Sequence, residues 1–227
     1  MIRERILVFI LVISALMYLA NISQALTFDF ENADQEDEWT DLAGTLEIRD
    51  GMMCSVSAAD GPLVSFIADW EDDWSDYNIK VKAQGLVADA DWGIAFRVQD
   101  IQNHYSWQFC NGNLMFISYV ANARTEAFTV VQAEVLNEWQ DYRVDVKGNK
   151  FDLYFGGELI QSVTDDALET GSVGTFVWIN GGTTLGDHGG VAFDNLNIDG
   201  EGIPGSLTAV TPEARLSTTW GELKSEY

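Results

Sequence analysis

Apolar and polar residues alternate one by one along most of this chain, and this period of two constrains its fold more than any other feature. Tyr77, Ile79 and Val81, for example, are separated by polar residues. A strand with one buried face has this pattern, because successive side chains point to opposite sides. Turn signals such as Asp50-Gly51 and Gly156-Gly157 separate the alternating segments. The sequence therefore predicts about ten short strands joined by hairpins, an all-β antiparallel sandwich with hardly any helix.

The charge balance narrows the choice of partners. The chain has 227 residues with 36 acidic and 12 basic side chains, which gives a formal net charge of -24 at pH 7. Its 8 Trp, 12 Phe and 7 Tyr supply enough apolar surface to offset the entropy of ordering a folded chain, which excludes a disordered protein. An acidic surface repels phosphate, so we expect no nucleic acid partner and favour neutral molecules, cations or metal ions.

The N-terminal segment has the features of an export signal. Arg3 and Arg5 precede the apolar run Ile6–Ala20, and Ser23-Gln24-Ala25 supplies the small residues of a cleavage site. The alternative, an uncleaved membrane anchor, needs about 20 apolar residues, and this run is shorter and interrupted by Ser14. We therefore predict a signal peptide at residues 1–25, a secreted or cell-surface location, and no membrane span after its removal.

Composition also changes near the C-terminus. We predict that residues 26–200 form the β-sandwich domain and residues 201–227 a linker and mostly irregular tail, since Pro204 and Pro212 fall there among Gly, Ser and Thr. The spacing from Leu216 to Tyr227 allows one short amphipathic helix. A frayed terminus is the alternative. The tail is also where we expect contacts with other secreted or surface proteins.

The two cysteines, Cys54 and Cys110, leave two alternatives open. Export permits a disulfide, which would close a long loop and contribute about 4 kcal/mol in the chain-entropy model. The alternation places Cys54 in phase with apolar Met52 and Cys110 in phase with polar Gln108. A bulge would reset either phase, so the pattern does not decide whether the two cysteines pair.

One predicted hairpin carries a polar face with candidate ligand-binding residues. Arg97, His104 and Gln108 fall on this face, and the small neighbours Gly93 and Ala95 would leave a shallow trough beside Arg97. Arginine offers a bidentate donor, and the other two side chains can hydrogen bond to ligand hydroxyls. We predict that the three lie together on adjacent strands. The alternative is a solvent-facing polar row with Arg97 in a surface ion pair.

The alternating pattern separates aromatic residues predicted to lie in the core from those predicted to be exposed. Tyr105 and Trp107 alternate with the polar face and are therefore predicted to lie in the core. Trp178 is in phase with Phe176 and opposite to its apolar neighbours, which makes it the first candidate for an exposed ligand platform. Tyr119 is the second candidate.

Several short motifs carry a resemblance to a known family. They are Phe28-Asp29-Phe30-Glu31, Trp74-Ser75-Asp76-Tyr77, Gly93-Ile94-Ala95-Phe96-Arg97, Asn103-His104-Tyr105, Trp139-Gln140-Asp141-Tyr142 and Phe193-Asp194-Asn195. Together they resemble the concanavalin A-like, laminin G-type jelly rolls of secreted bacterial proteins, nearest the 3-keto-disaccharide hydrolase domains and related carbohydrate-binding modules. The likeness covers residues 27–199. It implies two curved antiparallel sheets, with carbohydrate held on the concave face of one.

A departure from this family favours binding over catalysis. Where the hydrolase-like members resemble Glu-x-Gln, this chain has Ser106-Trp107-Gln108, so a titratable group is missing. We predict a non-catalytic carbohydrate-binding or adhesion-type domain, with no catalytic residue assigned. The alternatives are a glycoside-acting enzyme of the 3-keto-disaccharide hydrolase type and a calcium-stabilised structural module. A pair of carboxylates with perturbed pKa values on the concave face would favour the enzyme. A groove lined by arginine and aromatic side chains would favour the binding domain, and a flat charged face would favour the structural module.

The resemblance also implies a structural calcium ion. Phe30-Glu31 and Phe193-Asp194-Asn195 are similar to the paired end strands that hold calcium in several jelly-roll modules. Calcium takes six to eight oxygen ligands and would relieve repulsion between neighbouring carboxylates. The predicted ligands are Glu31 and Asp194, with Asp29 as a third. The alternative is that these acids are simply exposed at strand ends.

Overall fold

The structure is a computed structural model that describes residues 25–57, 59–68, 70, 74–200 and 203. The predicted signal peptide and the C-terminal tail lie almost entirely outside these residues, as does the pattern from Leu216 to Tyr227, so all three stay predictions. Within the described residues, no helix is long and apolar enough to cross a membrane.

The described chain is built almost entirely of β-strands. The strands are β1 (Leu26–Phe28), β2 (Trp39–Asp41), β3 (Leu46–Arg49), β4 (Met52–Ser55), β5 (Ala59–Ile67), β6 (Tyr77–Gly85), β7 (Ala90–Asp100), β8 (Asn103–Cys110), β9 (Asn113–Val120), β10 (Ala123–Val131), β11 (Gln140–Lys147), β12 (Lys150–Phe155), β13 (Glu158–Thr164), β14 (Ser172–Ile179) and β15 (Val191–Gly200). A short 3₁₀ helix, Ala33–Glu38, lies between β1 and β2.

These strands form two antiparallel sheets packed as a sandwich. Sheet A has eight strands, in the order β13-β12-β11-β6-β15-β4-β3, with β1 also paired to β15. Sheet B has seven strands, in the order β10-β9-β8-β7-β14-β5-β2. The predicted fold class, an all-β antiparallel sandwich, is confirmed. The number of strands is larger than the sequence indicated, because short edge strands such as β1 and β2 show too few alternations to be recognised.

Two-residue turns join several neighbouring strands, as their sequences predict. Arg49 pairs with Met52 around Asp50 and Gly51, whose φ angles are 50° and 73°. The Gly156-Gly157 turn between β12 and β13 has φ angles of 58° and 85°. Left-handed conformations at both turn positions match the right-handed twist of the flanking strands. The two hairpins are therefore confirmed.

The main core lies between the sheets and is rich in aromatic residues. Tyr105 and Trp107 are fully buried in it, as predicted. Each also satisfies its polar group: the Tyr105 hydroxyl donates to Asp165 at 2.6 Å, and the Trp107 indole N–H donates to the Tyr154 carbonyl at 2.9 Å. Buried polar atoms that keep a hydrogen bond avoid a desolvation penalty, so both rings can occupy the core.

A second, smaller apolar cluster covers the outer face of sheet B, which we define as the face turned away from sheet A. Its buried members are Val64, Ala95, Val98, Cys110, Met115, Ile117, Tyr119 and Phe176. They alternate along their strands with residues of the main core. Sheet B therefore contacts apolar side chains on both faces, which explains the nearly continuous burial of β8 and β9.

Arg97 lies inside the sandwich, so its predicted position on the polar face is wrong. Its φ angle is 49°, and the β7–β8 register shifts between Phe96 and Asp100. A bulge of this kind moves the following side chains to the opposite face. Only 2% of Arg97 is exposed. Its guanidinium lies 5.2 Å from the centre of the Phe151 ring, on the side of sheet A.

Backbone carbonyls hold the buried guanidinium of Arg97. It donates to Leu168 at 2.5 Å, to Ser75 at 3.1 Å and to Gly148. These acceptors belong to three separate loops at one end of the sandwich. Arg97 is therefore an internal cross-link between segments and is inaccessible to a ligand on the outer face of sheet B.

His104 lies on the outer face of sheet B but is fully buried. Its ring stacks on Tyr119 with 4.5 Å between centroids and lies 6.2 Å from Phe176. Burial lowers the pKa of His104 from 6.5 to about 4, because the charged form would lose its hydration. Backbone hydrogen bonds at Asp100 and Ile101 and the charge of Asp100 favour the protonated ring, but they do not offset the effect of burial.

The buried imidazole predicts a pH-dependent loss of stability. Because the pKa of His104 is lower in the folded state, the unfolded chain takes up the proton first as pH falls. The stability that neutral His104 confers is complete above pH 6.5 and is lost as pH falls toward 4, at a cost of about 3 kcal/mol. Urea denaturation at pH 7 and pH 4 measures how far the free energy of unfolding falls between them. We expect this fall to be about 3 kcal/mol smaller in His104→Phe than in the unmodified protein.

A control separates this effect from the titration of carboxylates. His188, the other histidine, is partly exposed and contacts Asp50. His188→Phe leaves His104 in place, so this variant should still lose the stability that depends on neutral His104 as pH falls. Parallel profiles for His104→Phe and the unmodified protein would show that the buried imidazole does not couple to folding.

Candidate functional site

A cavity of about 400 Å³ opens on the outer face of sheet B. Strand residues that line it are Asp91, Gln108, Cys110, Tyr119, Arg124 and Trp178. Loop residues that line it are Asp89, Asn111 and Asn180. The strand residues come from β7, β8, β9, β10 and β14, which are adjacent in the sheet. The cavity therefore runs across five neighbouring strands.

Local pairing explains why these side chains converge. Trp178 is in register with Asp91 across the β14–β7 ladder, so the ring and the carboxyl group lie side by side. Next along the same face is Gly93, paired with Gln108. A Cβ atom at Gly93 would lie only 2.1 Å from the Trp107 carbonyl oxygen. A side chain at Gly93 would therefore collide with the backbone of β8, so glycine permits the close approach of β7 and β8 beside Asp91.

Two aromatic side chains provide the apolar part of the lining. Trp178 is partly buried and packs against the outer-face cluster, in the phase that its sequence predicts. Tyr119 is held from behind by His104, and its ring lies 6.3 Å from that of Phe176. Packing of this kind fixes the orientation of the Tyr119 ring, which favours a preformed site.

The environment of the cavity changes the pKa of Asp91. Burial raises its pKa, and the charge of Glu134 adds to the rise, while hydrogen bonds from the Cys110 thiol and the Asn111 backbone N–H oppose it. Asp89 lies in the turn before β7 with a φ angle of 65°, and its carbonyl accepts a hydrogen bond from Asn180 Nδ2 at 3.3 Å. Two carboxyl groups therefore line one cavity, and one of them holds its proton more strongly than usual.

Arg124 is the cation of this cavity. It lies on the edge strand β10 and forms an ion pair with Glu126, two residues further along. It also hydrogen bonds to Tyr119, and its charge acts on Asp91. The guanidinium thus reaches along the outer face of sheet B toward the buried carboxyl group.

The structure brings only some of the predicted ligand-binding residues together. Gln108, Tyr119 and Trp178 line the cavity together. His104 lies behind Tyr119 and has no exposed surface. Arg97 is at the end of the main core and takes no part. The binding roles of the three lining residues stay predictions.

Sequence reasoning missed the charged residues of the cavity. Asp91 could have been found, because it alternates in phase with Gly93 and Ala95 on the face that carries Gln108. Arg124 offered no such signal, since β10 is an edge strand whose residues are nearly all exposed and whose register shifts after Glu126.

The two cysteines are free thiols. Cys54 lies in β4 of sheet A, whereas Cys110 lies in β8 of sheet B at the cavity wall. Burial raises the pKa of Cys54 to about 11 and that of Cys110 to about 12. Both thiols are therefore protonated at neutral pH and poorly nucleophilic. The sequence left open whether Cys54 and Cys110 form a disulfide, and in the structure they do not.

The predicted calcium ligands are only partly brought together. Asp194 has a raised pKa, caused first by burial and in part by the charge of Asp29, so these two carboxyl groups are close. The carboxylate of Glu31 instead lies against Gly51, 3.0 Å from where a Cβ would stand. Within the described residues, no group of three or more His, Cys, Asp or Glu side chains could hold a metal ion. Calcium, whose ligands also include carbonyl oxygens, stays a prediction.

Three solved structures of similar architecture are named as carbohydrate-related proteins. The carbohydrate-binding module CBM66 from Bacillus subtilis is 16% identical with a TM-score of 0.60, covering 72% of this chain and 96% of its own. A β-glucanase from Bacillus licheniformis is 12% identical with a TM-score of 0.57, covering 79% and 99%. The catalytic domain of an endo-1,3-β-glucanase (laminarinase) from Thermotoga petrophila is 7% identical with a TM-score of 0.54, covering 79% and 99%. These likenesses establish the fold.

Sequence comparison identifies the family. No curated protein sequence gives a significant match. The family model of the 3-keto-disaccharide hydrolases, described as a 3-keto-alpha-glucoside-1,2-lyase-like domain, matches residues 27–199. That range contains the sandwich except for Leu26 at the start of β1 and Gly200 at the end of β15, and it contains every residue of the cavity. The chain therefore belongs to the 3-keto-alpha-glucoside-1,2-lyase-like domain family.

Proposed function

We propose that this chain is an extracytoplasmic domain that binds carbohydrate in the cavity on the outer face of sheet B. The observation that supports it most is the pairing of Trp178 with Asp91 across adjacent strands, with Tyr119 in the same cavity. A sugar ring has apolar faces bordered by hydroxyl groups. An aromatic face beside a carboxylate matches both parts of such a ligand.

The dimensions and relatives of the site support the same proposal. A cavity of about 400 Å³ falls within the range of about 300–1,000 Å³ usual for small-molecule sites. The family is named for a reaction on keto-glucosides. Among proteins of similar fold, one is named as a carbohydrate-binding module and two as glucanases. Fold likeness alone does not assign a function, so the lining residues carry the proposal.

The N-terminal sequence supports the proposed location outside the cytoplasm. Arg3 and Arg5 ahead of an apolar run, with small residues after it, are typical of a segment removed on export. Polysaccharides are encountered mainly outside the cell, so export and carbohydrate binding support one another.

The binding proposal predicts a large effect at Trp178. We expect Trp178→Ala to weaken binding to an uncharged polysaccharide about tenfold, because a buried aromatic contact contributes more than about 1 kcal/mol. Affinity gel electrophoresis against a panel of neutral polysaccharides would identify a ligand, and calorimetry with its oligosaccharides would measure the loss. Trp139→Ala is the matched control, since Trp139 is exposed and does not line the cavity. Equal losses for the two variants, or no binding by the unmodified protein, would contradict the proposal.

A glycoside-acting enzyme is the second candidate, and one observation favours it. Asp89 and Asp91 line the same cavity, and the pKa of Asp91 is raised by burial. A carboxyl group whose pKa is raised is a better candidate for a general acid on a leaving oxygen. Against this, Ser106 is fully buried and donates to Gln108 at 2.6 Å, so the carboxylate missing from the sequence has no substitute at that position.

The two candidates differ in turnover. For a binding domain we expect no product from disaccharides, their 3-keto derivatives or β-glucans above a heat-inactivated control. Product analysis by chromatography would show this. A rate that Asp91→Asn abolishes, and that Asp166→Asn on an exposed loop does not affect, would establish the enzyme instead.

We also propose a calcium ion close to Asp29 and Asp194. Their mutual repulsion contributes to the raised pKa of Asp194, and β1 and β15 are paired beside them. Bound calcium would stabilise only the folded state, so the melting midpoint should rise by about 5 °C from chelator to millimolar calcium. Asp194→Asn should remove most of this shift, and Asp166→Asn should retain it. An unchanged midpoint would rule out the ion.

A further inference from the structure

The charged groups of the cavity are unequally available to a ligand. Two carboxyl groups, Asp89 and Asp91, line it together with one guanidinium, that of Arg124. An arginine that pairs with a carboxylate frequently forms two parallel hydrogen bonds to it. Whether this cavity can bind an acidic sugar therefore depends on what already holds Arg124.

Glu126 holds Arg124. Arg124 and Glu126 are two residues apart on β10 and therefore lie on the same face of the strand. The Nη1 atom of Arg124 donates a hydrogen bond to the Glu126 carboxylate. A second hydrogen bond joins Arg124 to Tyr119. Glu126 is absent from the cavity lining, so it acts on the site from outside. With these partners in place, the guanidinium has reduced capacity for a ligand carboxylate.

The neutral side chains of the cavity also favour hydroxyl groups. Gln108 accepts the Ser106 hydroxyl at its Oε1, which directs its amide N–H groups toward other acceptors. Asn180 uses its amide nitrogen on the Asp89 carbonyl, which leaves its own oxygen as an acceptor. Together with the two carboxyl groups, the cavity therefore presents both hydrogen-bond donors and acceptors. Sugar hydroxyls, which both donate and accept, match this set.

Resting on the proposed function, we propose that the cavity selects uncharged saccharides over uronates, and that Glu126 sets this selectivity by holding Arg124. A uronate would have to displace Glu126 from the guanidinium and place its charge near Asp89 and Asp91. The net charge of -24 adds a longer-range repulsion that salt screens. Glu126 is a positioning residue in this scheme.

Removing Glu126 should therefore produce a gain of binding, which misfolding cannot imitate. The probes are matched oligosaccharide pairs that differ only at C6: glucan oligomers with their C6-oxidised forms, and methyl-esterified oligogalacturonates with the free acids. In the unmodified protein, we expect the neutral member to bind at least about tenfold more tightly. Glu126→Gln should reduce the ratio of the two affinities about fivefold. A change of this size corresponds to the upper end of what a partly exposed ion pair contributes. Glu158→Gln, on the exposed edge strand β13 of sheet A, removes the same charge and should leave the ratio unchanged.

Calorimetry at about 0.1 M and about 0.5 M salt separates the cavity from the long-range field. A preference that persists at high salt supports the inference, and one that disappears assigns the effect to net charge and overturns it. Equal affinity for both members of a pair, or an unchanged ratio in Glu126→Gln, also overturns it while the binding proposal stands. If the unmodified protein binds no probe of the panel, the proposed function fails and this inference fails with it.

Discussion

The buried guanidinium of Arg97 organises one end of the sandwich. A charge with only 2% of its surface exposed is tolerated only where hydrogen bonds replace its hydration. The carbonyls that do so belong to the loop before β6, the turn between β11 and β12, and the segment before β14. The first two lead into strands of sheet A, while Arg97 itself belongs to sheet B. Loops of both sheets are thus held by one side chain, and the bulge that turns Arg97 inward also leaves Val98 on the outer face.

The alternating pattern of the sequence correctly predicted the sheet face of residues in regular strands, but it did not predict where a strand is irregular. Tyr105, Trp107 and Trp178 lie on the faces that their phase indicates, because each is paired in register with a residue of β7. Arg97 was misplaced because a bulge interrupts its strand, and a period of two contains no signal for a bulge. Arg124 escaped prediction because an exposed edge strand has no buried face to impose alternation. The polar face was therefore identified, whereas the position of its charged groups depended on backbone details.

Binding and catalysis differ little in this architecture. Both require an aromatic platform and polar groups on one sheet face, and the cavity supplies them through Tyr119, Trp178 and Asp91. Catalysis further requires a proton donor in register with a reacting oxygen. The fold determines only where such a group would stand. The family resemblance implies a glutamate at the position of Ser106, and a serine hydroxyl cannot serve there as a general acid.

The two buried thiols give the folded chain a built-in reporter. Cys110 lies at the cavity wall in sheet B and Cys54 in sheet A, and both have raised pKa values. Thiol reagents need the ionised sulfur, so alkylation is slow until a segment opens. The labelling rate at each cysteine then measures the opening of its own sheet, and a ligand in the cavity would protect Cys110 selectively. Mass spectrometry can follow the mobility of the site without any engineered probe.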